Sequence, residues 1–180
     1  DNTIVGSNIE FKANMAYGDG LMVCRRVKNP ETQKIELEEL TPEEAPEIFQ
    51  FISDSNYLRV MSELANDLVV FSDSFVYLAF GKRKAGERPK VVQIWHREMC
   101  FSRISEQDEK TKRIEYHGYS SQWGEESYPD DVIVTRLLDR RSPLYDLKVR
   151  TGLVPDPETG EKKDEEENGY TLSLNMPVPG

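Results

Sequence analysis

The feature that most constrains this chain is a change of hydrophobic period at Ser72. Before it, Leu58, Met61, Leu64, Ala65, Leu68 and Phe71 recur at spacings of three and four. That is the pattern of a helix with one apolar stripe turned toward a core. After it, Phe75 to Phe80 reads FVYLAF, nearly continuous and rich in β-branched and aromatic residues. Such a run is expected of a strand covered on both faces. A turn from Gly81 to Pro89 and a return strand from Val91 to Trp95 follow. The order predicts a helix running straight into a strand that pairs with the next one.

The flanking segments are read in the same way. Residues 2 to 17 tolerate a helix, stopped at Gly18-Asp19-Gly20. Leu21 to Lys28 and Lys34 to Leu40 alternate apolar and polar residues around Asn29-Pro30-Glu31-Thr32, so a hairpin is expected. Thr41-Pro42-Glu43-Glu44 has helix-start chemistry, although Pro46 offers a second start. Ile48, Phe49 and Ile52 would form that helix's apolar face, and Asp54, Ser55 and Asn56 break it. Further strands are expected at Phe101 to Ile104, Arg113 to Tyr119, Val132 to Leu138 and Tyr170 to Met176. Thr151 to Gly169, with its run Asp164-Glu165-Glu166-Glu167, reads as a mobile acidic loop. The expected fold class is α+β, with N-terminal helices packed on a mostly antiparallel β-sheet. Three divisions follow: a domain over 1–150, the loop over 151–169, and a last strand with a lead-in over 170–180.

Composition narrows the function. With 33 acidic and 23 basic residues the formal charge is −10, which argues against tight sequence-reading of DNA. No apolar run approaches the roughly 18 residues that cross a bilayer, so no membrane partner is expected. Cys24 and Cys100 sit in apolar, strand-like contexts and read as buried free thiols. The chain begins at Asp1 and ends on Pro177-Val178-Pro179-Gly180, as an excised part of a longer protein would.

Catalytic chemistry is not legible. His96 and His117 have no nucleophile, metal pattern or orienting carboxylate at a recognisable spacing. Glu125-Glu126, Asp130-Asp131 and the acidic run resemble solvated loops, and no EF-hand spacing is present. Gly18-Asp19-Gly20 precedes a strand, which is the wrong order for a phosphate cradle. No catalytic, cofactor or metal residue is therefore expected, and the chain is read as a non-enzyme. Lys82, Arg83 and Lys84 at a hairpin tip, and Arg140 and Arg141 after a strand, are the candidates for subunit or partner contacts.

The joints between elements resemble a known family. A helix ends in Met15-Ala16-Tyr17-Gly18-Asp19-Gly20-Leu21, and a later helix carries Asn66-Asp67-Leu68-Val69-Val70-Phe71-Ser72. The strand Phe75-Val76-Tyr77-Leu78 and the return through Ile94-Trp95-His96-Arg97-Glu98 follow. This order resembles the wing region of tailed-phage portal proteins, the head-to-tail connector family. Phe101-Ser102-Arg103, Tyr116-His117-Gly118-Tyr119 and Asn175 to Gly180 extend the likeness. The stem, clip, crown and tunnel loop of that family have no counterpart in the chain.

The resemblance implies a portal-wing-like fold and a structural role without cofactors. The whole protein would self-assemble into a ring, usually of twelve subunits, at a capsid vertex in the virion, after assembly in the host cytoplasm. Double-stranded DNA would pass through without its sequence being read, while terminase, capsid and tail proteins dock. An acidic surface suits such a channel, because it repels phosphate. Two alternatives remain open at the level of sequence. One is another structural or adaptor protein of a phage or mobile element. The other is a carboxylate-dependent hydrolase or nuclease, for which Asp67, Asp73 and Glu98 are the best candidates.

Overall fold

A computed structural model describes residues 22–82, 87, 90–124, 129–162 and 167–175. The helix expected over residues 2 to 17 lies outside them, as do its glycine stop and Met176.

The chain first forms a ribbon from β1 (Cys24–Lys28) and β2 (Ile35–Glu39), paired from Cys24 opposite Glu39 to Lys28 opposite Ile35. Asn29 organises the turn, its side-chain oxygen accepting the N–H groups of Glu31 and Thr32 at 2.9 and 3.1 Å. Thr41 and Glu44 do pair, the Glu44 carboxylate accepting the Thr41 N–H at 3.0 Å, but they close a turn. The helix α1 (Pro46–Asp54) begins at the second proline. There a missing N–H costs nothing, because the first turn has no intrahelical acceptor for it.

Helix α2 (Tyr57–Phe71) ends at Ser72, which takes a left-handed conformation at φ 60°. One residue then separates it from β3 (Asp73–Phe80). This short joint folds the helix back over its own strand. β3 is the central strand, antiparallel to both β4 (Val91–Arg97) and β8 (Gly169–Asn175).

The two faces of β3 are covered differently. On one, Val76 packs with Ile94 of β4 and with Val60 and Leu64 of α2. Phe51, Tyr57, Met61, Leu78, Leu172 and Leu174 extend this core. On the other face, the ring of Phe75 meets that of His117 at 4.7 Å. His117 belongs to a second antiparallel sheet of β5 (Ser102–Ile104), β6 (Tyr116–Tyr119) and β7 (Ile133–Arg136).

The two sheets are joined at two places. A parallel bridge links Leu137 to Thr171, where the Leu138 N–H donates to the Thr171 carbonyl at 2.9 Å. The hydroxyls of Thr135 and Thr171 add a bond of 2.7 Å. On the opposite side β4 passes into β5 through a 3-10 turn at Met99–Phe101. Leu137 and Leu138, at 1% and 2% exposure, plug the first junction.

The expected α+β class, with N-terminal helices packed on a sheet like a portal wing, is therefore corrected. Among the described residues eight strands in three sheets dominate, and the helices number three, of 9, 15 and 8 residues. The result is a small β-rich domain, because the second face of the central strand is buried by another sheet and not by helices. The stripe of α2 faces the core through its middle but not at its ends. Leu64 and Met61 of the expected stripe do pack on the core, but its two ends, Leu58 and Phe71, are 54% and 51% exposed, and Val60 joins the contact. The third helix, α3 (Pro143–Arg150), was not anticipated. Proline starts it, the Asp146–Arg150 ion pair at 3.0 Å spans one turn, and Gly152 at φ 69° terminates it. Cys100 lies exposed in the 3-10 turn and not buried in a strand, while Cys24 is half-buried.

Candidate functional site

Two side-chain clusters stand out where elements meet. The first surrounds His96 near the end of β4. Asp67 and Glu63 lie one helical turn apart on α2, so both face the strand that α2 covers. His96 Nε2 lies 2.7 Å from the Asp67 carboxylate and Nδ1 lies 3.4 Å from that of Glu63. Glu63 also accepts from Arg59 at 2.8 Å. Sequence reading missed this grouping because 29 residues separate Asp67 from His96. Only the fold-back of β4 against the helix brings them together.

A shallow cleft of about 250 Å³ opens beside His96, lined in part by Arg59, Glu63, Trp95 and Glu98. The imidazole, however, has a carboxylate at each ring nitrogen. No lone pair is left facing a substrate, so the geometry suits a clamp between α2 and β4 better than general-base work. Glu98 is engaged elsewhere, as the acceptor of a short bond from the Tyr119 hydroxyl. Burial alone would raise the Glu98 carboxyl, but that bond and the nearby His96 and Arg97 bring it below the usual range. Burial and the same bond push the Tyr119 hydroxyl up to about 12. Arg97 stacks over Tyr77 and Tyr119, at 5.2 and 4.6 Å from the ring centres, and ties the two sheets at this corner.

The second cluster surrounds Asp73 at the start of β3. Its carboxylate accepts from Arg140 at 2.7 Å, from the Ser173 hydroxyl at 2.6 Å and from the Ser74 N–H at 2.9 Å. The carboxylates of Asp67, Asp73 and Glu98 are thus bound to His96, Arg140 and Tyr119 respectively. They do not converge. Among the described residues no group of three or more His, Cys, Asp or Glu side chains is placed to hold a metal ion.

The basic candidates separate. Lys82 is exposed beyond β3, and Arg83 and Lys84 lie outside the described residues. Arg140 is anchored to Asp73, whereas Arg141 is exposed. The most unusual surface carries none of them. On the β1–β2 ribbon, Ile35 and Leu37 are 68% and 70% exposed, and Met22 just before it is 72% exposed. Register places Ile35 and Leu37 on one face with Cys24, Arg26 and Lys28 opposite. The other face carries the Arg25–Glu38 ion pair at 2.8 Å.

No family model matches this chain, no curated protein matches it, and no solved structure matches it. No helix among the described residues is long and apolar enough to cross a membrane.

Proposed function

We propose that the chain is an assembly module, a structural part of a phage portal ring, and not a catalyst. The observation that carries this reading is the β1–β2 ribbon. An isolated two-stranded ribbon is only marginally stable in water and needs a third strand or a packed face. Here every residue of β2 is exposed, and the apolar pair Ile35 and Leu37 has no cover among the described residues. A neighbouring subunit that adds a strand or an apolar patch would complete it. The engagement of Asp67, Asp73 and Glu98 in internal bonds supports the same reading, since none is left to act on a substrate. In the ring, DNA would pass through the centre while terminase and tail proteins dock outside.

The β-rich fold favours a second reading, a structural adaptor of a phage or mobile element that uses the same ribbon on a different partner. The full-length protein containing this chain separates the two. Light scattering and negative-stain imaging should show closed rings, and Leu37→Asp should reduce them to smaller species without changing the melting temperature. A full-length preparation that stays monomeric at high concentration would remove the portal reading. Stable binding to one partner without ring closure would favour the adaptor.

A further inference from the structure

The chain carries a formal charge of −10, yet five of its cations meet at one cleft. The cleft, of about 330 Å³, lies between the turn before β6 and the segment leading from β7 into α3. Lys112, Arg113, Arg140, Arg141 and Arg150 line it, against Glu115 and Asp139.

The local charge balance decides whether this concentration is neutralised from within. Arg140 and Arg150 are held from outside the cleft by Asp73 at 2.7 Å and Asp146 at 3.0 Å. Glu115 is drawn toward Arg136 at 3.2 Å. Asp139 accepts the Arg141 backbone N–H at 2.8 Å and reaches Arg113 only at 3.7 Å. Asp156 and Glu158 lie along the adjoining cleft with Arg113, Arg136 and Arg150, so the unmatched positive charge is carried by Lys112 and Arg141. Neither Lys112 nor the guanidinium of Arg141 has an acidic partner among the described residues. Beside them the Nε of Arg140 is buried without any acceptor. A buried donor left unmet calls for an acceptor in nearly every folded protein. Anchored guanidinium groups also bind with little further loss of side-chain freedom, which favours an incoming anion.

We propose that this cleft is a binding site for a phosphoryl group. Several oxygens on one tetrahedral centre match the several guanidinium forks that surround the cleft, which a single carboxylate does not. The group can come from a small phosphate monoester or from a nucleic-acid backbone, and the chemistry at the cleft is shared. The inference does not depend on the portal reading, because none of the residues that line the cleft belongs to the β1–β2 ribbon.

Calorimetric titration of the full chain tests it with three probes: inorganic phosphate, adenosine monophosphate and a short DNA duplex. At least one should bind saturably. Arg113→Gln combined with Arg141→Gln should weaken that binding at least tenfold, about what one charged hydrogen bond contributes. Neither arginine packs in a core, and circular dichroism of the double variant checks its fold. If that variant unfolds, Lys112→Gln and Arg141→Gln singly carry the test. Arg25→Gln, on the ribbon, should leave binding unchanged. Binding of the first two probes identifies a monoester site, while binding of the duplex alone, falling steeply with salt, identifies a backbone site. The proposal is overturned if no probe binds, if the cleft variants bind as the parent does, or if Arg25→Gln weakens binding equally.

Discussion

Acidification should destabilise this protein through His117, and the size of the effect follows from where the ring lies. His117 is 1% exposed, packed at a tilt against the ring of Phe75 between the two sheets, and its Nε2 has no hydrogen-bond partner. Burial, with the nearby Arg97 charge adding to it, holds the imidazole down at about 4, against 6.5 for a free ring. The folded protein therefore keeps the ring neutral across a range in which the unfolded chain binds a proton. Stability is full above about pH 6.5, falls as pH drops toward 4, and levels off from this source below that. At about 1.36 kcal/mol per pH unit the whole span is worth about 3 kcal/mol, with about 2 kcal/mol lost by pH 5.

Urea denaturation at half-unit steps between pH 7.5 and 4 measures the curve directly. His117→Phe keeps an aromatic ring beside Phe75 and removes the titrating group. Its stability should change little between about pH 6.5 and 5, where the parent loses about 2 kcal/mol. Parallel curves for the two proteins would refute the reasoning, since the acid sensitivity would then belong to other groups. Glu98, held below its usual range, contributes stability that is lost only as pH falls through its own lowered value, at the acid end of this series.

Other perturbations test the packing. Gly169→Ala should cost at least about 3 kcal/mol by chemical denaturation, because a Cβ there would collide with the Leu78 carbonyl and stand 2.6 Å from the Tyr77 hydroxyl. Leu64→Ala removes the best-buried side chain of α2, 2% exposed, and should cost about 2 to 5 kcal/mol in the same assay. Asp73→Asn strips Arg140 of its charge partner and should lower stability by about 2 to 4 kcal/mol, visible as a fall in melting temperature. Gln in place of Asp67 should loosen α2 from β4, read as faster amide hydrogen exchange in α2 than in β8.

Much of the local structure was legible in the sequence. The ribbon at Asn29, the period change at Ser72, the central strand and its return are short-range patterns of apolar spacing and turn residues. Each depends on neighbours within a few positions, and each formed close to where its pattern lay. The covering of β3 on both faces was also readable, because a run without polar positions has no solvated side. What the run did not reveal was the identity of the cover, since the same apolar surface accepts a helix or a sheet.

The candidate sites were less legible for a related reason. Asp67 with His96, Asp73 with Arg140, and Lys112 and Arg113 with Arg141 and Arg150 join residues from separate elements. No spacing rule connects them. The pairing of Arg140 and Arg141 drew notice as adjacent charges, yet the fold turns one inward to Asp73 and leaves the other at the cleft mouth. Local propensity and alternation thus determined which segments became strands and helices in this protein. Tertiary packing alone decided that a second sheet would close over Phe75, that His117 would be sealed in between, and that scattered arginines would share one cleft. The reason is that hydrophobic burial sets the faces of each element without naming its partner, and charges are carried to wherever those faces meet.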